Sequence, residues 1–288
     1  MNEKFSFKKG HRSRAMFLIF AYAFLVVFMI IMIVPVLKVF VDSVDPSAAS
    51  LMRIWPKQID LSAYEQILSR PDLIKPFFIS LITTVVGTVV GLLLTTLAAY
   101  VIIQKNMPGN RFFINMILFT MLFNGGLIPT YLTVSYLGLM NNFISVIIPV
   151  TLTAYNIILM KSFFQTIPQS FYEAAKLDGC TPIGIFWRIV LPLSKPALAS
   201  IGLFIAVAMW NDFMHFQLYI QDPLMQNFQL KVRQLVLMDQ AVGTSASAVS
   251  GDMLKSAVII VVMAPFLLVY PFIQKYFQKG VTLGGVKE

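Results

Sequence analysis

Long apolar runs, separated by short polar or basic segments, set the pattern of this chain. The runs fall at 15–37, 76–103, 111–129, 143–164, 195–219 and 255–273. A helix rises 1.5 Å per residue, so ~20 apolar residues cross the ~30 Å hydrocarbon layer of a bilayer. Each run is mostly apolar and about long enough to span, which predicts membrane helices. The segments between them read as loops. Residues 38–75 open on the turn signals Asp42-Ser43 and Asp45-Pro46, and 61–69 suits a short helix. Pro108-Gly109 marks a tight turn in 104–110. Residues 131–142 form a loop without charge, and 220–254 a polar loop with a Gly/Ser/Ala-rich tip at 243–251. Gly87 and Gly91 have the spacing that lets two helices approach closely. Asn124-Gly125-Gly126 interrupts the third run and has two readings: backbone unwound beside a cavity, or the fraying end of a helix.

Composition agrees. Of 288 residues, 58% are hydrophobic and 12% charged, against about 25% charged in soluble domains. No domain-sized soluble segment interrupts the runs, so the organisation is a basic N-terminus at 1–14, one membrane domain at 15–273 and a tail at 274–288. The basic start precedes a run too long for a signal-peptide core, and no small-residue cleavage site follows. The net charge of +9 is explained by topology rather than by nucleic acid. Basic residues concentrate in 1–14, 104–111, 161–195 and 274–288, which places both termini in the cytoplasm by the positive-inside rule. The single Cys180 excludes an intrachain disulfide, and two distant histidines, His11 and His215, offer no metal site. No GxxxxGK[ST] and no nucleophile–base constellation occurs, so this chain is expected to bind no cofactor and to catalyse no reaction.

One polar stretch stands out, QSFYEAAKLDGCTPIGIFWRIVLP at 169–192. Ser170 and Glu173 have capping-box spacing, predicting a helix from Phe171. Gly179 suits the left-handed end of that helix, and Thr181-Pro182 the start of a second one reaching about Val190. Two short helices meeting at Gly179 make a compact knob. The stretch resembles the coupling loop of ABC-importer permeases, whose pattern is met by Glu173, Ala174, Ala175, Gly179, Ile189, Leu191 and Pro192. By that resemblance, these residues with Ser170 dock the knob into a cleft of a cytoplasmic ATPase subunit.

Two further stretches sharpen the resemblance. The ending Gln274–Lys287, with Lys279, Gly280, Thr282 and Gly284, is similar to that of maltose-type carbohydrate permeases, and implies an extended tail touching the ATPases. Trp210, Asn211 and Asp212, with His215 and Gln217, put polar groups toward the outer end of the fifth run. They read either as pathway-facing or as an interfacial cap in the aromatic belt. The runs at 123–131 and 219–223 look like the lipoprotein/polygalacturonan-type oligosaccharide branch. The resemblance implies an all-α fold of six membrane helices, that of a type I (MetI-like) ABC-importer permease, in the bacterial inner membrane. It implies a second permease subunit, two ATPase subunits that bind ATP and Mg, and an extracytoplasmic solute-binding protein. Candidate pathway residues are then Asn124, Gly125, Trp210, Asn211 and Asp212. The alternatives are an ion-coupled secondary transporter, which needs mid-membrane carboxylates, a membrane scaffold, or an ABC permease for a non-sugar solute.

Overall fold

A computed structural model of the chain describes residues 12–48, 53–104, 107–241 and 251–284. Every regular element among them is a helix. The chain divides into two compact units, Met1–Ser69 with Asp239–Val261, and Arg70–Met238 with Val262–Glu288.

In the first unit, α1 (Arg12–Val44) runs through Pro35 and beyond the expected end of its apolar run. Its large apolar side chains from Met16 to Leu37 are mostly exposed, as a helix solvated by lipid requires. The turn after α1 is built on Asp45. Its carboxylate accepts from the Ser47 hydroxyl at 2.7 Å and from the backbone N–H groups of Ser47 at 2.9 Å and Lys57 at 2.8 Å. The Ser47 hydroxyl and the Lys57 N–H hold its acid well below the ordinary carboxylate range, at about 2. The short helix expected at 61–69 is α2 (Ser62–Ser69).

The second unit is organised around α3 (Pro71–Ile102), which begins earlier than the sequence pattern predicts because Pro71 serves as a first-turn proline. At 32 residues it is ~48 Å long. Helices α6 (Phe143–Thr151), α7 (Ala154–Phe164) and α11 (Lys195–Asn211) pack on it. The glycine pair works as a packing notch. A Cβ on Gly87 would lie 3.1 Å from Met209, and one on Gly91 would lie 2.5 Å from Thr151 Cβ.

Three of the expected helices are broken. The third run is α4 (Asn110–Leu122) and α5 (Leu127–Tyr136), bent by 119°. The Asn124 side chain accepts from Gly126 N–H at 2.9 Å, and Gly126 sits at φ 90°. The break is therefore a built turn rather than a frayed end, and much of the loop expected at 131–142 is helical. The fourth run bends by 48° where the Thr153 hydroxyl caps α7, and the fifth breaks at Asp212 before α12 (Met214–Tyr219). The polar loop expected at 220–254 contains α13 (Phe228–Ala241); its tip at 242–250 lies outside the described residues. The last helix, α14 (Gly251–Gly284), carries helical backbone past 273, where an extended tail was expected. Two helices, α1 and α3, are each long and apolar enough to cross a membrane. Counting each bent pair as one span raises the number to five among the residues searched.

Elsewhere in this unit, Asn141 at φ 55° joins two loops. Its N–H donates to Tyr219 O at 2.8 Å, and its side-chain oxygen accepts from the N–H groups of Gln221 at 2.6 Å and Asp222 at 3.1 Å.

Candidate functional site

The knob begins at α8 (Gln169–Leu177). The expected capping box does not form. Pro168, with φ pre-set at −55°, takes the cap position, so the helix starts two residues early and no side chain caps it. Ser170 and Glu173 then lie within the helix and are exposed. The other end is as the sequence predicts. Gly179 has φ 76°, Cys180 N–H reaches Ala175 O at 2.9 Å, and Gly179 N–H reaches Lys176 O at 3.1 Å. These are the paired bonds of a Schellman ending, which satisfy carbonyls that the helix leaves open. Beyond its own local backbone, no atom of the described residues lies within 4 Å of a Cβ placed on Gly179, so the constraint there is conformational, not steric.

The second limb starts at α9 (Pro182–Ile185), where the Thr181 hydroxyl accepts from Gly184 N–H at 3.2 Å. It passes through a π-helical turn, Phe186–Val190, into α10 (Leu191–Leu193), and so continues beyond the expected stop at Pro192. Pro192 brings no N–H to close an α-helical turn, and the wider turn accommodates that loss. A bend of 83° at Ser194 then leads into α11.

What roots the knob was not visible in the motif. Tyr100, near the end of α3, donates its hydroxyl to Pro182 O at 2.8 Å and packs its ring 5.1 Å from that of Phe186. Tyr172 is buried and reaches Phe164 O at 3.4 Å. Burial, with Tyr100 nearby, pushes the Tyr172 hydroxyl up to about 12, so it stays a neutral donor throughout the physiological range. Ala175, Ile185, Phe186 and Val190 complete the buried side. The two motif alanines therefore have different tasks. Ala174 is exposed, whereas Ala175 is 3% exposed and turned inward, so its small size serves packing within the chain rather than entry into a partner's cleft. Ile189 and Leu191 are half-buried and Pro192 is exposed. The outer side carries apolar groups that are exposed among the described residues: Phe171, Leu177, Ile183 and Trp187, with Leu177 89% exposed.

The pathway candidates separate into three kinds. Asn124 and Gly125 sit exposed at the α4–α5 turn. Trp210 is 2% exposed; it donates to Val262 O at 3.1 Å and packs edge-on to Phe77. It is a core anchor rather than part of an interfacial belt. Asn211 is exposed and folds back to Val207 O. Asp212 ends α11, and its Oδ1 meets His215 Nδ1 at 2.8 Å and His215 N–H at 3.3 Å. Its Oδ2 is buried with no hydrogen-bond partner among the described residues. Lys279, Gly280, Thr282 and Gly284 lie on the helical backbone of α14, and 285–288 lie outside the described residues.

A family described as the binding-protein-dependent transport system inner membrane component matches residues 111–283. The chain is 40% identical over 265 residues to Protein LplC of Bacillus subtilis (strain 168), covering 89% of this chain and 90% of that protein. It is 41% identical over 275 residues to the polygalacturonan/rhamnogalacturonan transport system permease protein YtcP of the same organism, covering 92% and 96%. Among solved structures, a bacterial ABC transporter involved in the import of the acidic polysaccharide alginate superposes with a TM-score of 0.86 at 30% identity, over 96% of this chain and 100% of that one. With the knob, its pattern and its roots in place, the chain belongs to the binding-protein-dependent transport system inner membrane components: it is an inner-membrane permease of the ABC-importer class, not an enzyme.

Proposed function

We propose that this chain forms half of the translocation pathway of an ATP-driven carbohydrate importer, and that its cargo is an oligosaccharide. The cargo reading is supported by the names of its relatives, which transport polygalacturonan/rhamnogalacturonan in one case and alginate in another. A second, related permease supplies the other half. Two ATPase subunits bind ATP and Mg, and an extracytoplasmic solute-binding protein delivers the sugar. Six spans follow if each bent pair counts once and α14 is added, with both termini and the knob in the cytoplasm.

The observation that carries the coupling role is the two-sided knob. One side is buried against α3 and α7 by Tyr172, Ala175 and Phe186; the other presents exposed apolar groups. A stiff element rooted in membrane helices can pass an ATPase motion to the pathway as rigid-body rocking, which is how alternating access is commonly produced. Leu177→Asp places a charge on the exposed side and leaves the rooted side alone. The expected outcome is a permease that inserts normally but co-purifies with its ATPase subunits at about a tenth or less of the wild-type yield. Wild-type recovery of the ATPases would remove the docking role. Residues 279–284 extend the same contact, and removing 280–288 is read by the same co-purification.

The pathway itself is assigned to Asn124, Gly125, Asn211 and Asp212, with Trp210 as the buttress behind them. Support comes from the unpartnered Oδ2 of Asp212, since buried polar atoms normally find a partner. Asp212→Asn keeps an acceptor for His215 N–H and removes the charge. Sugar uptake by the assembled importer should fall severalfold with complex assembly unchanged; unchanged uptake would leave Asp212 as a helix cap only.

A further inference from the structure

We propose that the cleft beside the knob binds the phosphate headgroup of an anionic phospholipid. The cleft has a volume of about 730 Å³ and lies between the end of α3, the start of α4, the end of α7 and the inner flank of α8. Among the described residues three cations line it: Arg111 in the first turn of α4, Lys161 in the last turn of α7, and Lys176 of α8. No carboxylate is among the described lining residues. No ion pair engages any of the three cations among the described residues. Like charges sharing one concave space repel, and a phosphodiester anion relieves that repulsion while accepting several charge-assisted hydrogen bonds. Gln165, Gln169 and Tyr172 add polar groups around the same space.

Arg111 makes the need for an anion sharper. A cation in the first turn of a helix opposes the helix dipole, and α4 has neither a side-chain cap nor an acidic residue there to offset it.

The occupant is argued to be a lipid, not a free anion, from what borders the cleft. Val101 beside the α3 rim is exposed, and so are Phe112, Phe113 and Met116 beside the α4 rim. A ligand with a phosphate head and hydrocarbon tails satisfies both surfaces at once. Basic pockets between membrane helices at the cytoplasmic surface are suited to such headgroups. The ATPase-facing side of α8 does not compete for the space. Gln169, Tyr172 and Lys176 follow helical spacing along one face, while the exposed Ala174 and Leu177 lie on another. The site rests on the reading that the knob lies at the cytoplasmic membrane surface. A lipid held there would touch α8 directly and tie the coupling element to the charge of the bilayer.

The test uses the importer assembled with its partner subunits, purified and examined by native mass spectrometry after incorporation into bilayers containing phosphatidylglycerol or phosphatidylcholine. Wild type is expected to retain phosphatidylglycerol in preference to phosphatidylcholine. The double variant Arg111→Gln/Lys161→Gln should retain about tenfold less phosphatidylglycerol, with ATPase subunits still bound. Lys176→Gln, an exposed position, should shift retention in the same direction, and Arg111→Lys/Lys161→Arg should keep most of it. Equal phosphatidylglycerol retention by wild type and the double variant overturns the proposal. So does displacement of the lipid by inorganic phosphate alone, which makes this a free-anion site, and so does loss of the ATPase subunits from the double variant, which makes the cleft part of a protein interface. Failure of the docking role would show separately, as normal ATPase recovery by Leu177→Asp whatever the lipid result.

Discussion

At residue scale, Gly179 is the position where backbone geometry alone decides. Its φ of 76° closes α8, and a side chain there would meet open space. Gly179→Val should therefore act through conformation: a β-branched residue in the left-handed region costs about 1–2 kcal/mol, enough to unwind the end of a nine-residue helix. The expected outcome is reduced co-purification of ATPase subunits with normal membrane insertion. Gly179→Asn, which tolerates this conformation, should recover most of it. If valine and asparagine behave alike, the left-handed turn is not what positions the knob. The alanines teach a related lesson. Ala174 and Ala175 are adjacent and chemically identical, yet one faces outward and the other is buried. A large residue at 175 would disturb the packing of the knob onto α3 and α7 rather than its fit to a partner.

At element scale, the contact of α3 with α6 and α11 depends on the absence of side chains at Gly87 and Gly91. In lipid there is little hydrophobic drive to bring helices together, so close van der Waals contact does much of that work. Gly91→Ala would set a methyl group 2.5 Å from Thr151 Cβ, closer than atoms approach, so α6 or α3 must move. A loss of about 1–3 kcal/mol is expected, as for overpacking elsewhere, read as a lower melting temperature of the purified importer. Gly87→Ala meets only the flexible Met209 and should cost less. An equal effect of the two would mean the notch is not the reason for these glycines. The start of α8 is the counter-case among elements. Ser170 and Glu173 have the right spacing for a capping box, but Pro168 starts the helix first, and spacing by itself carries no information about which residue begins the turn.

At the scale of the whole molecule, the distribution of charge predicts which side of the membrane each segment faces. In a background where Cys180 is replaced by serine, cysteines at Leu177 and Trp55, both highly exposed, report on the two sides. A membrane-impermeant thiol reagent applied to cells with an accessible outer face of the inner membrane should label the Trp55→Cys protein. The Leu177→Cys protein should be labelled only after the membrane is opened. Labelling of both from the same side would reject the six-span arrangement with the knob in the cytoplasm.

By itself the sequence determined what depends on composition or on near neighbours. Apolar run length decides that residues enter a bilayer, because hydration of a helix of ~20 apolar residues is too costly to sustain. Glycine and proline chemistry located the C-terminal end of α8 and the start of α9, because those conformations are set within a few residues. The spacing of the 173–192 pattern was enough to identify the family. Only the tertiary structure decided that the interruption at Asn124-Gly125-Gly126 is a 119° bend and that the fourth and fifth runs break as well, since a mostly apolar run has no periodic signal to mark a bend. The same holds for the attachments that give the knob its stiffness and the two loops at Asn141 their staple. Tyr100 meets Pro182 and Asn141 meets Gln221 across roughly eighty positions of chain. Which of many equivalent backbone groups they find is settled when the helices pack, because a hydrogen bond depends on distance and direction in space and not on separation along the sequence.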